Sequence, residues 1–527
     1  MLHVAAQASR FHVKALLARC GGSPLQGLPL GFALLLVALA FLSPGRDIPP
    51  LARAFVGAAL ILGTWNVLLL ASARRAGRRL TAAIVLRKQH YLQACAQASV
   101  LLYWGWYWRE VYQSAHLLAG QLLFAYAFDM LLVWSRRDTY TLGFGPLPVV
   151  FSINLFLWFK PEWFYFQFLL VAVGFAAKEL IRWDKDGRRA HIFNPSSFPL
   201  AVFGLALILT GTSGLTWGQE IASTQFYPPH MYLVLFLIGL PGQYFFGVTT
   251  MTLAAVVTTY AFGLAYYATT GVYFFYDSYI PIAVFLGMHL LFTDPSTSPQ
   301  TDLGRVIFGA LYGASTIALY QLLGTMGLPT FFDKLLQVPI LNLSIRWIDR
   351  CARSRAMRML DPARLVPSLT RGRRHLAYMS IWAIVFAGMA AANGVGDDHP
   401  GQWLPFWRQA CTEERPYACR YLADTQQAFC SRGSGWACNE QGILIARRER
   451  DLDATAESME RGCTLGFRTA CVNAQRLPDL GALLSAPPTL DDYPIILRGS
   501  KGPVAERTPD ALRALACRQG WPGSCAS

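Results

Sequence analysis

His191-Ile192-Phe193-Asn194-Pro195-Ser196-Ser197-Phe198 and Phe292-Thr293-Asp294-Pro295-Ser296-Thr297-Ser298-Pro299 are short polar breaks in an otherwise apolar chain. Each sets a small polar or acidic residue beside a proline, which has no amide hydrogen and cannot continue a helix. Backbone groups freed from helix bonding at membrane depth need other partners, so such breaks mark places where a membrane protein lines a site. The runs around them support a membrane reading. The 527 residues are 54% hydrophobic and only 15% charged, with 15 Trp, 22 Tyr and 33 Phe, which is more apolar side chain than one soluble core needs.

Apolar runs predict spans near 28–43, 51–72, 91–107, 113–134, 144–159, 162–180, 196–213, 230–247, 250–269, 272–292, 303–324, 331–347 and 376–393. The expected fold is therefore all-α, a polytopic transmembrane helical bundle of about 11–13 spans with a small extracytoplasmic disulfide-stapled domain. The stretch Met1 to Gly27 is basic and mixed, and the run after it ends in Ser43-Pro44-Gly45-Arg46 without a small-x-small cleavage site, so it reads as a retained first span. The segments Arg74 to Lys88, Ser135 to Asp138, Arg182 to Arg189 and Arg346 to Arg374 are basic. The expected spans put them all on the side of the N-terminus, which makes that side cytoplasmic. The last segment carries nine Arg against Asp349 and Asp361 and reads as an inside anchor touching anionic lipid. The net charge of +15 lies between apolar runs and not on one aromatic and basic surface, which argues against nucleic acid as a partner.

Cysteines divide the chain. Three (Cys20, Cys95, Cys351) precede residue 400, and the other eight form four pairs of one spacing, C-x7-C: Cys411 with Cys419, Cys430 with Cys438, Cys463 with Cys471, and Cys517 with Cys525. Four pairs at one spacing read as a repeated disulfide framework, a helix ending at the first Cys, a turn, and a new helix starting at the second. The run 376–392 crosses once more and places everything beyond Asn393 outside the cytoplasm, where disulfides persist. The expected domains are 1–140 (N-terminal helices), 141–350 (core), 351–375 (basic loop), 376–393 (final span) and 397–527 (outer cysteine-rich region).

Within the apolar runs, Asp129 and Asp277 are acids that belong to an ion or proton path if they face the bundle interior, and to a watered interface otherwise. Asn154, Asn194 and Asn342 are amides of the kind that bond across to another helix. Ser196 and Ser197 can cap a helix beginning at Pro195, and the amides of such an N-terminus suit an anion. The stretch Gly239-Leu240-Pro241-Gly242 through Phe246-Gly247-Val248-Thr249-Thr250-Met251-Thr252 is a third break, of small residues and hydroxyls that permit close packing or a cavity lining. No metal, nucleotide or haem signature is present, and His191 and His289 make no metal site without geometry to join them.

The first break, Gly242 with Thr250 to Ala254, and the second break with Gly304-Arg305-Val306-Ile307-Phe308-Gly309 occur in the order found in one family of membrane proteins. Over residues 140–350 the chain resembles that family, the FMN-carrying membrane subunits of the Rnf electron-transport complex and of the sodium-translocating NADH:quinone reductase. Lys178 to Arg182 leading into His191 looks especially like the related membrane proteins of enediyne biosynthesis clusters. The resemblance implies a multi-pass protein of the bacterial inner membrane, part of a redox or ion-coupled electron-transport system, with FMN as cofactor. It implies cofactor contacts at Asn194, Ser196, Ser197, Thr216, Thr250, Thr293, Asp294, Ser296 and Thr297. The family attaches FMN to a threonine in S-G-A-T. Here the nearest stretch is Ser213-Gly214-Leu215-Thr216, and Ala222-Ser223-Thr224-Gln225 follows, so the pattern argues against covalent attachment.

The outer units CTEERPYAC, CSRGSGWAC, CTLGFRTAC and CRQGWPGSC resemble the cysteine-rich helical repeats of the Sel-one-like, tetratricopeptide-related class. Their starts are 19, 33 and 54 residues apart, so the array is irregular, and the segment Pro478 to Pro509 interrupts it. Stacked helical pairs bind other proteins, which makes periplasmic or membrane proteins of the same system the expected partners beside the lipid bilayer. Two other readings stand beside the electron-transport one, a transporter-like protein without flavin and a membrane-anchored scaffold acting through its outer repeats. Whether the chain is an enzyme stays open, because no complete catalytic motif is present.

Overall fold

A computed structural model describes residues 23–484 apart from 43–46, 186, 366–368, 397–398, 403 and 432–434. Of the four expected disulfides, the fourth falls on Cys517 and Cys525, and both cysteines lie outside the described residues, as does most of the 478–509 segment. The chain divides into two compact units, Met1–Thr259 with Ile282–Val385, and Tyr260–Pro281 with Phe386–Ser527.

The first unit is helical and apolar, and each expected span within it holds a helix. Among the described residues, four helices can by length and composition cross a bilayer: Pro49–Arg75, Ala115–Arg136, Thr249–Thr270 and Asp302–Thr325. Leu28–Phe41, Ser197–Thr210 and Met231–Phe246 are shorter apolar helices. Two expected spans are corrected in form, because neither holds a continuous spanning helix. The segment 144–159 holds only the nine-residue helix Pro146–Asn154, and 272–292 only the nine-residue helix Ile282–Leu290. Nine residues rise about 14 Å, half a hydrocarbon core. Their side chains are almost wholly buried in protein, so the hydropathy that suggested continuous spanning helices comes in large part from core packing.

These two short helices belong to a succession that occurs twice. Ala115–Arg136, Pro146–Asn154, Tyr165–Leu180 and Ser197–Thr210 have 22, 9, 16 and 14 residues; Thr249–Thr270, Ile282–Leu290, Asp302–Thr325 and Val338–Ala352 have 22, 9, 24 and 15. In both, a proline-led 3-10 turn follows the short helix, Pro161–Trp163 after Lys160 and Pro295–Thr297 after Asp294. Small residues let the helices of the second set pack closely. At Gly309 an added Cβ would collide with the Met251 carbonyl, so only glycine lets helix Asp302–Thr325 approach Thr249–Thr270 to this distance.

The all-α expectation needs a small amendment. Thr81–Ile84 pairs in parallel with Thr139–Leu142, and Arg182–Lys185 pairs antiparallel with Arg188–His191. The second ladder is a hairpin turning at Gly187 (φ +75°), a left-handed conformation glycine adopts without strain. Its last residue is His191, which the hairpin delivers to the first break.

In the second unit the cysteine spacing does what the sequence suggested. Cys411–Cys419, Cys430–Cys438 and Cys463–Cys471 are bonded. Each bond joins the end of one helix to the start of the next: Leu404–Thr412 to Ala418–Ser431, the latter to Gly435–Arg448, and Leu452–Thr464 to Arg468–Gln475. Helix contacts are close where Gly435 and Gly462 face each other, and Ala446, Met459 and Leu483 form a small core. Residues 272–281 pack in this unit as a loop. Tyr417 donates to the Tyr273 carbonyl (2.6 Å), and Tyr276 stacks on Tyr421 with ring centres 4.4 Å apart. Their aromatic side chains are thus buried against protein, which is why hydropathy misread the segment as membrane.

Candidate functional site: polar junctions at the helix breaks

Both opening breaks are capped the same way, by an Asx side chain before proline. Asn194 Oδ1 accepts from the amides of Ser196 (2.9 Å) and Ser197 (3.2 Å), and starts helix Ser197–Thr210. Asp294 Oδ1 accepts from the amide of Ser296 (2.9 Å) and starts the 3-10 turn Pro295–Thr297. The expected serine cap at Ser196 and Ser197 is therefore corrected. Asn194 is the cap, Ser196 Oγ itself donates to it (2.7 Å), and the amides foreseen for an anion are taken.

The two breaks, 100 residues apart in sequence from Asn194 to Asp294, meet through a third amide. The Asn342 side chain accepts from the Asn194 amide (3.1 Å) and donates to the Thr297 carbonyl (3.1 Å), while Asn194 Nδ2 donates to the Leu291 carbonyl (2.9 Å). Asn342 is 1% exposed and Asn194 3%. The third break reaches the same short helix. Thr252 Oγ1 donates to the Met288 carbonyl (3.0 Å), and Gly239 packs against His289. Thr293 Oγ1 returns to the His289 carbonyl (2.7 Å). Among the described residues, the buried atoms Ser197 Oγ, Thr297 Oγ1, Thr249 Oγ1, Thr250 Oγ1, His289 Nε2 and both polar atoms of Gln243 have no hydrogen-bond partner.

His191 joins the junction from the hairpin. Its Nε2 lies 2.9 Å from Ser296 Oγ and 3.6 Å from Asp294 Oδ2, and Ser296 Oγ donates to Asp294 Oδ1 (2.6 Å). A hydroxyl that donates to Asp294 must accept from His191, which puts the proton on Nε2. The trio is thus no nucleophile arrangement, because an attacking serine needs an unprotonated Nε2 and an acid on Nδ1. It is a protonatable pair bridged by a hydroxyl. Other ionisable groups lie in the same region: His90 is within electrostatic reach of His191, Asp294 and Lys178. Lys178 Nζ lies 4.0 Å from Asp129 Oδ1, and Tyr140 donates to Asp129 Oδ2 (3.1 Å). Asp129 is buried, at 6% exposure. Asp277 belongs to the other unit, in the loop 272–281, where Ser278 Oγ lies 3.3 Å from it.

Thr216 is elsewhere. It sits beyond the far end of helix Ser197–Thr210, whose 14 residues span about 21 Å. It is 2% exposed, its hydroxyl donates to the Ser213 carbonyl (3.0 Å) and accepts from the Gly218 amide (3.3 Å). That doubly engaged, buried hydroxyl does not fit a phosphoester link. Nearby, the ring of Phe331 fills the space a side chain at Gly218 would take, and Asp333 and Lys334 form a buried pair (3.2 Å).

Sequence reasoning passed over three features. The Asp333-Lys334 dipeptide stood in a segment read as a span, and adjacent opposite charges in an apolar run were the available signal. Glu179, 7% exposed, collects Arg137 (2.6 Å), Arg182 (2.5 Å) and Arg136 (3.7 Å). Asp349 caps the loop after the second break, accepting from the amides of Gln300 (3.1 Å) and Thr301 (3.3 Å). Neither of the last two had a local sequence mark. Among the described residues no group of three or more His, Cys, Asp or Glu is placed to hold a metal.

Comparison with known proteins yields no match for this chain, whether to family models, to curated proteins or to solved structures.

Proposed function

We propose that the chain is a proton- or cation-coupled membrane protein of the Rnf-like kind, working as a transport scaffold without attached flavin. The observation that carries this is the doubled helix succession. Repeats with a discontinuous helix in each half are how many transporters build a site at their interface. The first 22-residue helix ends at Arg136 and is followed by Arg137, whereas the second ends in residues grouped with the disulfide-bonded unit. With basic loops inside and disulfides outside, the halves are inverted. The inner breaks then meet at His191, Ser296 and Asp294, and the nearby His90, Lys178 and Asp129 supply exchangeable protons.

The test is reconstitution into liposomes loaded with a pH-sensitive dye, with a potassium diffusion potential as driving force. Proton entry should exceed that of protein-free vesicles and fall at least about tenfold in Asp294→Asn, the loss expected for removing one relay group, while Asp277→Asn leaves it unchanged. No entry, or entry indifferent to Asp294→Asn, ends this reading.

A redox role is the second reading, favoured by the meeting of all three resemblance segments around helix Ile282–Leu290. FMN held without a covalent bond would be released on denaturation and would leave no fluorescent band on a denaturing gel. A band abolished by Thr216→Ala would overturn the structural argument against attachment there. The outer helices, read as tetratricopeptide-like, serve in either case as the contact for a periplasmic partner.

A further inference from the structure

We propose that the cavity beside helix Val338–Ala352 binds the phosphate headgroup of an acidic phospholipid. The cavity, about 540 Å³, is lined by Asp184, Arg346, Asp349, Arg350, Arg353 and Ser354. Its volume lies in the range of small-molecule sites. The arginines recur at intervals of four and three, on one edge of the helix.

The acids that share the cavity are engaged elsewhere. Asp349 is occupied by Gln300 and Thr301, and Asp184 Oδ1 accepts from the Gly187 amide (2.9 Å). Arg346 bonds the Asp184 carbonyl and lies over the Trp183 ring (4.4 Å), and Arg353 donates to Gln300 Oε1 (3.1 Å). Both are thereby held in place with further donors to offer. The Arg350 side chain makes no ion pair or hydrogen bond among the described residues. Three guanidinium groups around a recess whose carboxylates are already satisfied suit a phosphate oxyanion, which arginine meets with paired donors.

A lipid is favoured over free phosphate by the neighbouring face of the same helix. Ile340, Leu343 and Trp347 are 68%, 55% and 60% exposed, an apolar stripe with no protein cover among the described residues. A helix with such a stripe beside an arginine edge, and a tryptophan near the boundary, lies with the stripe among acyl chains and the cations at headgroup level. One amphiphile satisfies both surfaces. The inference is independent of what the core transports.

The full chain, purified in neutral detergent, would be titrated with short-chain phosphatidylglycerol, phosphatidylcholine or inorganic phosphate, and bound species counted by native mass spectrometry. Phosphatidylglycerol should bind at least about tenfold more tightly than phosphatidylcholine, and Arg350→Gln with Arg353→Gln should weaken it about twenty-five-fold, about fivefold per cation. Arg364→Gln with Arg373→Gln, which removes equal charge outside the cavity, should change it less than about twofold. If the double variant does not elute as a single species, Arg350→Gln alone carries the test, since its side chain bonds nothing among the described residues. Equal losses in both double variants would mean diffuse charge, and no headgroup preference would mean no site. Arginine-dependent binding of inorganic phosphate without preference for phosphatidylglycerol would make it a free-anion site. Each of these outcomes overturns the proposal.

Discussion

Replacing Asn342 with leucine removes the side chain that ties the two breaks together. The substitution keeps volume and apolar contact but deletes both bonds, to the Asn194 amide and to the Thr297 carbonyl, each 3.1 Å. Both backbone groups are then left buried without that partner. Each such loss costs about 1–3 kcal/mol, and interhelical bonds in membrane proteins fall near the lower end, about 0.6–2. The expected destabilisation is about 2–4 kcal/mol, a fall of roughly 2–4 °C in Tm for a chain of this size. Thermal unfolding of the detergent-solubilised protein, followed by circular dichroism, reads it. Ile340→Ala, at a 68% exposed position on the same helix, should stay within about 0.5 °C. Asn342→Asp adds a discriminating arm. Its neutral acid can accept from Asn194 and donate to Thr297, whereas its ionised form cannot donate. Asn342→Asp should therefore approach the unsubstituted protein as pH falls, and Asn342→Leu should not. A leucine variant within about 0.5 kcal/mol of the original, or an aspartate variant with no such pH response, would refute the claim that this amide holds the junction.

Gly309→Ala should destabilise by about 2 kcal/mol or more in the same assay, because its Cβ meets the Met251 backbone and the helices must separate. Gly388→Ala, with nothing within 4 Å of the added carbon, should be neutral or gain up to about 1 kcal/mol from helix propensity. His399 sits between the rings of Tyr273 and Tyr279, its Nδ1 accepting from the Gly401 amide (3.0 Å), and burial holds its imidazole down at about 3. Since the folded value is depressed, its contribution is present above about pH 6.5 and lost as pH falls toward 3, about 2 kcal/mol of it by pH 5. His399→Phe should flatten that part of a pH-dependent unfolding curve, and an unchanged slope would clear the histidine. Cys463→Ser with Cys471→Ser opens a loop of about nine residues and should cost the outer helices about 2.5 kcal/mol, seen as earlier proteolysis within 452–475. A thiol reagent that cannot cross the membrane should label these cysteines only after reduction and only from outside. Labelling from the cytoplasmic side would reverse the orientation.

Local chemistry made part of this protein legible from its residues alone. Apolar runs of sufficient length must be helical in a bilayer, and an Asx-Pro pair must interrupt them, so helix positions and both breaks follow from the chain. Equal C-x7-C spacing determined the three described disulfides in the same way, because each bond closes over a single turn between consecutive helices. The same spacing at Cys517 and Cys525 is legible in the sequence alone, since both cysteines fall outside the described residues.

Tertiary structure decided whatever depends on partners remote in sequence. Hydropathy cannot distinguish an apolar segment buried in protein from one buried in lipid, so 144–159 and 272–292 looked like continuous spanning helices and hold helices of nine residues. Nothing local marks Asn342 as the partner of Asn194 and Thr297, 148 and 45 residues away. Nor could spacing tell that the Thr216 hydroxyl is already bonded, or that Asn194 takes the amides an anion would need. The breaks could be read from the sequence because a proline acts on its own neighbours. Their assembly into one junction could not, because it depends on backbone groups brought together only when the two halves of the core pack.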